Sequence, residues 1–150
     1  MNEISILTTF LQNLFADNDM VNTISNVPTL EIDSNKMNIY PLVNVDLKKT
    51  TIEDQAIYTT LLITIVQQRD KRPVRTSSKI LDDSNYIDNI NETHSIAVKA
   101  INYLVRQNNT DNIEIESYTD LTILKEWSKE GLDGVQFSIV LSMHNRGSSC

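Results

Sequence analysis

The stretch GLDGVQFSIVLSMHN, residues 131–145, decides the fold that this chain can adopt. Two glycines open the stretch, and apolar side chains then alternate with polar ones. Because successive side chains of a β-strand point to opposite faces of a sheet, this alternation predicts a strand over residues 134–144 with one buried face. The residues expected on that face are Val135, Phe137, Ile139, Leu141 and Met143. The rest of the chain must supply the neighbouring strands and the layer that covers them.

A longer and more apolar strand is predicted for residues 55–67, within the stretch QAIYTTLLITIVQQ. One face carries Ile57, Leu61, Ile63 and Ile65, and the other carries Tyr58, Leu62 and Val66. A strand covered on one side only should alternate more strictly between apolar and polar residues. We therefore expect its second face to be covered as well, by a helix or by another subunit.

Two helices are predicted from apolar residues that recur at steps of three and four. The first spans residues 3–16, and the second spans residues 84–107 with Asp83 or Ser84 as its N-cap. The first helix has an apolar face of Ile4, Leu7, Leu11, Leu14 and Phe15. The face expected for the second consists of Ile87, Ile90, His94, Ala97, Val98, Ile101, Leu104 and Val105. Both helices are amphipathic, so each should pack on the sheet.

The remaining strands are shorter. TLEID (29–33) and NIYPLVNVDL (38–47) flank SNK and could pair as a hairpin, and NIEIESYT predicts a strand over residues 112–119. Residues 17–37 otherwise form a connection, and residues 145–150 form a flexible tail. The strands lack the spacing of βαβ units, which favours an α+β fold over residues 1–150, with a mainly antiparallel sheet packed against two helices.

Composition limits the classes of function. The net charge of −7 argues against a general nucleic-acid binder. The single cysteine, Cys150, excludes an intramolecular disulfide framework and a thiolate metal cluster, as expected of a protein made in a reducing cytoplasm. No apolar run approaches the roughly 20 residues that cross a bilayer, and the N-terminal residues do not have the pattern of a signal peptide.

The chain carries none of the common catalytic or nucleotide-binding motifs. His94 and His144 have no neighbouring cysteine or second histidine, whereas a zinc site needs three or four ligands. The acidic residues near the second helix, Asp82, Asp83 and Asp88, suit its dipole, and Glu114 and Glu116 suit a solvated strand face. Trp127 is expected to anchor the core or an interface. We therefore predict no catalytic, metal-binding or cofactor-binding residues.

One basic stretch stands out, RDKRPVRTSSK at residues 69–79. Its five basic residues and one acidic residue give a local charge of +4, which leaves −11 on the rest of the chain. The basic residues are Arg69, Lys71, Arg72, Arg75 and Lys79. They are candidate partner-binding residues, for an acidic surface of a neighbouring protein or for a phosphate backbone, although a solvated loop has the same pattern.

Three segments resemble the tail-terminator, or tail-completion, proteins of tailed bacteriophages. They are YPLVNVDL (40–47) followed by the long strand ending in QQRD, the long helix in DDSNYIDNINETHSIAVKAINYLV, and the turn and last strand in LDGVQFSIVLSM. The resemblance covers about two thirds of the chain, from residue 40 onward. Proteins of this family form rings at the head-proximal end of a tail or in the neck. The resemblance thus implies a tail-terminator-like fold.

The resemblance also implies a function without an active site. It implies a structural virion protein that forms a homo-oligomeric ring, joins the tail to the head and surrounds the path of the DNA. The implied partners are copies of itself, neighbouring tail-tube or connector and portal-associated proteins, and non-specific DNA in the lumen, with no membrane and no cofactor. Such a protein would be synthesised in the cytoplasm of the bacterial host and found in the virion, in the tail or the neck.

Two alternatives remain open from sequence. One is a small acidic cytoplasmic binding module, of the immunity or anti-defence type, that masks a basic partner. The other is an enzyme whose site residues are scattered along the chain. A ring protein should assemble with itself or on a partner ring, a binding module should stay monomeric until its target is present, and an enzyme should have a polar-lined pocket.

Overall fold

A computed structural model describes residues 3–29, 32, 39–69, 86–106, 113–128 and 131–144, together with the backbone of residues 74–75 and 81–82. The two helices are α1 (Glu3–Ala16) and α2 (Tyr86–Arg106). The strands are β1 (Thr23–Ser25), β2 (Leu42–Ile52), β3 (Ala56–Gln68), β4 (Val74–Arg75), β5 (Leu81–Asp82), β6 (Ile113–Tyr118), β7 (Thr122–Trp127) and β8 (Leu132–His144). The fold is therefore α+β.

Six strands form one mixed, mostly antiparallel sheet with the order β1-β2-β3-β8-β6, and β7 pairs with β8 along the same edge as β6. The only parallel pair described in this sheet is β1 with β2, over residues 42–44 of β2. The last strand lies inside the sheet, because β8 pairs with β3 along its whole length on one side and with β6 and β7 on the other. β4 and β5 pair separately with each other.

The core lies between the two helices and one face of the sheet. Leu7, Leu11 and Phe15 of α1 are buried there, as are the alternate residues of β3 and β8. The β8 residues predicted to share a buried face are all buried: Val135, Phe137, Ile139, Leu141 and Met143. Burial of these side chains is the main favourable term in the stability of such a fold.

The second face of β3 is covered in part, by the chain itself. A smaller apolar cluster contains Leu42, Val66 and Leu132 from this face of the sheet, and Ile32 from the connection between β1 and β2 packs on them. Trp127 packs against the same cluster, as its expected role of anchor requires. Near Val66 the cover is a connection and not a helix, whereas Tyr58 and Leu62 are left half-buried; cover by another subunit stays a prediction.

The turn from β7 into β8 depends on its glycines. Gly131 has a φ of 66°, in the left-handed region that glycine adopts without steric cost. Gly134 lies against the backbone of β3, where a Cβ atom would overlap the carbonyl of Ile65 and come within 2.9 Å of the Cα of Val66. A larger residue at position 134 would therefore push the two central strands apart.

The proposed hairpin of residues 29–33 with residues 38–47 is wrong. β2 has β1 on one side and β3 on the other, so neither side of its N-terminal half is open to a further strand. Thr29 and Ile32 lie in a helical turn, and residues 30, 31 and 33 lie outside the described residues. The connection expected over residues 17–37 also contains the short strand β1.

The apolar face of α2 is rotated from the one predicted. Its buried residues are Asn89, Thr93, Ile96, Ala97, Ala100, Ile101 and Leu104. Ile87, His94, Val98 and Val105, which were expected to face the core, are exposed. The rotation brings two polar residues into the interior, where each has a hydrogen-bond partner: the Thr93 hydroxyl donates to the Asn89 carbonyl at 2.8 Å, and the Asn89 amide donates to the Gln68 carbonyl at 3.1 Å. The predicted N-cap residues, Asp83 and Ser84, lie outside the described residues.

Candidate functional site

Arg69, the first of the five candidate basic residues, is buried by its own chain. Its side chain is 1% exposed and forms a two-pronged ion pair with Asp133, which is 0% exposed. Nε donates to Oδ2 at 2.9 Å and Nη2 donates to Oδ1 at 2.7 Å. The third guanidinium nitrogen, Nη1, lies 2.9 Å from a carboxylate oxygen of Glu126. The planar fork of arginine matches a carboxylate in this geometry, and the bonds are charge-assisted.

The carboxylate of Asp133 also holds neighbouring parts of the fold. The Asn89 side-chain amide donates to Oδ2 at 3.2 Å, and the Glu126 backbone N–H donates to Oδ1 at 3.1 Å. Glu126 has a positive φ of 49°, at the point where the register between β7 and β8 shifts. The hydrogen bond to Asp133 therefore stabilises a backbone conformation that non-glycine residues seldom adopt.

This cluster binds residues on both sides of the basic stretch. Arg69 directly follows β3, and Asn89 lies in the first turn of α2. The residues on either side of the segment between them therefore both donate to the carboxylate of Asp133. The ring of Tyr86 lies 5.0 Å from the Arg69 guanidinium carbon and 5.0 Å from the Lys125 ammonium nitrogen, within the range of cation–π contacts. The assignment of Arg69 to a partner protein is corrected: its charge is neutralised inside the chain.

The other candidate basic residues keep their assignment as hypotheses. Lys71, Arg72 and Lys79 lie outside the described residues, and only the backbone of Arg75 is described, in β4. With Arg69 engaged internally, residues 70–79 carry four basic residues and one acidic residue, a charge of +3. Sequence reasoning missed Asp133 and Asn89. A carboxylate between two glycines, in an apolar strand, was the one signal that pointed to a buried ion.

Exposed apolar side chains mark a second candidate surface, on the β1–β2 side of the sheet. Ile52 is 71% exposed at the end of β2, and Leu47 is 43% exposed in the same strand. Ile39 is exposed next to β1, where its backbone N–H donates to the Thr23 hydroxyl at 3.0 Å. Ile39 lies beyond the start of β2, whereas Leu47 and Ile52 share one face in its second half. We call Leu47 and Ile52 the β2-side patch.

A different set of exposed apolar side chains lies at the opposite edge of the sheet, on β6, β7 and α2. Tyr118 in β6 is 53% exposed, and Ile123 in β7 is 56% exposed. Ile87, Val98 and Val105 are exposed along one flank of α2, because spacings of 7 and 11 residues are close to whole numbers of helical turns. The other flank of α2 faces α1, so this one is turned towards β6. We call Ile87, Val98, Val105, Tyr118 and Ile123 the β6-side patch.

The two patches are linked by one row of side chains across the sheet. Leu47 pairs with Leu61, Leu61 pairs with Ile139, and Ile139 pairs with Tyr118. Directly opposite residues share a face, so all four side chains lie on the face that the helices cover. Leu61 and Ile139 are buried, whereas the two ends of the row are exposed. The apolar layer thus reaches both edges of the sheet.

A small cleft separates the C-terminal end of α1 from α2. It has a volume of about 110 Å³, well below the roughly 300–1,000 Å³ of pockets that hold small-molecule ligands. Its lining is Leu14, Phe15, Asp17, Asn18, Ile96, Lys99, Ala100 and Tyr103. The cleft is therefore small for a substrate, and no role is assigned to it.

Among the described residues, the groups considered for chemistry do not come together. His94 is exposed on α2 and His144 is exposed at the end of β8. Within the described part of the chain, no three His, Cys, Asp or Glu residues are grouped so that they could hold a metal ion. None of the described helices is both long enough and apolar enough to span a membrane. Asp83 lies outside the described residues, and so do residues 145–150, which include Cys150.

One carboxyl group has a shifted pKa. Burial raises the pKa of Asp46, but hydrogen bonds from the Thr29 hydroxyl and from Lys48 outweigh that effect and hold the pKa below its ordinary value of 3.8. The Thr29 hydroxyl and backbone N–H donate to Oδ2 at 2.6 and 2.9 Å. The charged form of Asp46 therefore ties the connection after β1 to the edge strand β2.

No model of a known protein family matches this chain, and no curated protein matches it either.

Proposed function

We propose that this protein is a structural subunit of a homo-oligomeric ring, of the tail-terminator type, at the head-proximal end of a phage tail or in the neck. In that role it joins the tail to the head and surrounds the path of the DNA, and it needs no catalytic group. The observation that carries the proposal is the presence of two apolar patches, made of different residues, at opposite edges of one sheet.

The patches favour a head-to-tail contact. Two copies related by a two-fold axis would place the same surface against itself, and each contact would be complete after two subunits. The β2-side and β6-side patches are made of different residues, so each copy offers one surface for each of two neighbours. Repeating such a contact with a rotation that closes produces a ring.

The edge of the sheet also bears on the geometry of the ring. Among the described strands, β1 pairs only with residues 42–44 of β2, so beyond Asn44 the edge steps inward by one strand and no described strand pairs with the outer side of residues 47–52. A neighbouring copy must lie displaced along the strands to reach this open part. Closed sheets accommodate such a displacement by tilting their strands relative to the axis. Bulges at Lys48 and Glu116 interrupt both edges, so side chains are expected to supply most of the contact.

The basic stretch fits the same role. It begins directly after β3, and the buried pair with Asp133 fixes its first residue, Arg69. We assign Lys71, Arg72, Arg75 and Lys79 to a contact with an acidic neighbour in the assembly, with DNA in the lumen as the second candidate. An acidic subunit lets DNA slide past it rather than bind tightly.

The proposal is tested by the mass of the protein in solution and by its place in the particle. Light scattering on the purified protein over a range of concentrations should give one closed species, a whole multiple of 17.1 kDa. Quantitative mass spectrometry of virions should find the same multiple of copies per particle. A protein that is monomeric alone and binds one basic target in a 1:1 complex would instead identify the acidic binding module.

A further inference from the structure

We infer that the ring contact is fixed by opposite charges on the two sheet edges, with lysines of β2 in one copy facing glutamates of β6 in the next. This inference rests on the proposed ring and specifies which surfaces meet. The open part of β2, residues 47–52, contains two basic residues and no acidic one. β6 contains two acidic residues and no basic one.

The β2 lysines point to solvent at the open edge. Lys48 is the bulged residue, with its side chain 47% exposed and its ammonium 2.9 Å from Asp46. Lys49 is exposed and pairs across the sheet with Thr60, which places its side chain on the face away from the helices. Among the described residues, Lys49 has no carboxylate within ion-pair distance.

The β6 glutamates are held in place on the same face of the sheet. Glu114 pairs across the sheet with Ser142, and the Ser142 hydroxyl donates to the Glu116 carboxylate at 2.8 Å. Both glutamates are exposed, and in the described part of the chain neither carboxylate has a cationic partner. Two like charges on one short strand repel each other, so a cation from a second copy would stabilise them.

The two edges therefore match face by face. On the helix-covered face, the apolar Leu47 of one copy would contact the apolar ring of Tyr118 in the next copy. On the opposite face, Lys49 of one copy would contact Glu114 and Glu116 of the next. Cyclic symmetry demands this match, because every subunit of a ring presents the same face outward.

The charges also exclude the competing contacts. Placing a β2 edge against a second β2 edge would oppose lysines, and placing β6 against β6 would oppose glutamates. Like charges brought together in an interface are unfavourable, and proteins commonly reject wrong partners in this way. The charge pattern thus disfavours both two-fold dimers and leaves the head-to-tail contact.

The test is charge reversal with rescue. The double variants Lys48→Glu/Lys49→Glu and Glu114→Lys/Glu116→Lys should each raise the concentration for half-assembly by at least about tenfold. An equimolar mixture of the two should assemble again with the subunits alternating, since each reversed edge then meets its complement. Lys99→Glu/Arg106→Glu, which reverses two basic residues of α2 outside both edges, is the matched control and should assemble as the wild type does.

Each outcome separates this inference from the proposal on which it rests. Rescue in the mixture also shows that both variants are folded. If the wild type forms a ring and neither reversal weakens it, or if the mixture stays dispersed while circular dichroism shows both variants folded, the charge pairing is wrong and the ring stands. If the wild type never assembles, alone or in particles, the proposed function itself fails.

Discussion

Leu47 and Tyr118 lie at the two ends of one row of side chains that crosses four strands of the sheet. The residues between them, Leu61 and Ile139, are buried, whereas both ends are about half exposed. At a spacing of about 4.8 Å between strands, the two ends are roughly 14 Å apart. The apolar side chains at both edges would be removed from water if the edges of neighbouring copies met, which is favourable. For this reason we propose that the ring contact lies there.

The buried pair of Arg69 with Asp133 is expected to dominate local stability. Asp133→Ala should lower the free energy of unfolding by about 3–5 kcal/mol, because it leaves the Arg69 charge in the interior with only the half-exposed Glu126 as counter-charge. Urea denaturation followed by circular dichroism measures this change.

A double variant serves as the control for that effect. Arg69→Met/Asp133→Leu removes both charges and fills the space with apolar atoms, so it should recover at least about 2 kcal/mol relative to Asp133→Ala. If the double variant is less stable than the single one, the cost comes from lost packing and not from an unpaired charge.

Phe137 is expected to contribute to stability as much as a typical buried phenylalanine does. Phe137→Ala should destabilise the fold by about 3–5 kcal/mol, since the side chain is buried between the sheet and the helices. Ser138→Ala, one residue along on the other face, should change stability by no more than about 0.5 kcal/mol. Equal effects at the two positions would contradict the register of β8.

Asp46 should make stability depend on pH in acid. Its pKa is lowered in the folded state, so its charge contributes stability above pH 3.8 that is lost as the pH falls through the lower folded pKa. Asp46→Asn should therefore show a shallower loss of unfolding free energy than the wild type below about pH 4. Thr29→Val, which removes the hydroxyl donor and keeps the N–H donor, should lie between them. Parallel curves for Asp46→Asn and wild type would rule this out.

The basic stretch is expected to act through Arg72 and Arg75. Changing both to Glu should reduce the yield of joined particles if they bind an acidic neighbour, and should leave joining intact but alter genome retention or ejection if they bind DNA. Electron microscopy and infectivity counts separate these results. Unchanged particles would show that the stretch is only solvated.

Local patterns predicted much of the fold. The helix over residues 3–16 and the buried face of β8 follow from periodicity alone, because neither depends on the rest of the chain. The face of α2 could not be predicted in this way. Val98 and Val105 on its exposed flank have the same apolar character as residues of its buried face, and the contacts of Asn89 with Gln68 and Asp133 depend on distant parts of the chain.

The site was less accessible from sequence. A run of charge identified residues 69–79, but the pairing of Arg69 with Asp133 joins residues 64 positions apart and depends on β8 lying next to β3. Likewise, Glu114 and Glu116 read as a solvated strand face until the sheet order places them at one edge and Lys49 at the other.

Native mass spectrometry of edge variants tests the head-to-tail contact most directly. Leu47→Asp/Ile52→Asp blocks one side and Tyr118→Asp/Ile123→Asp blocks the other, while Tyr103→Asp, on the α1-facing flank of α2, is the control that should behave as wild type. The account predicts a closed oligomer for the wild type, monomers for each blocked variant alone, and a 1:1 heterodimer with no larger species when the two are mixed. A closed oligomer from either blocked variant alone, or a mixture without heterodimer although the wild type assembles, would contradict it.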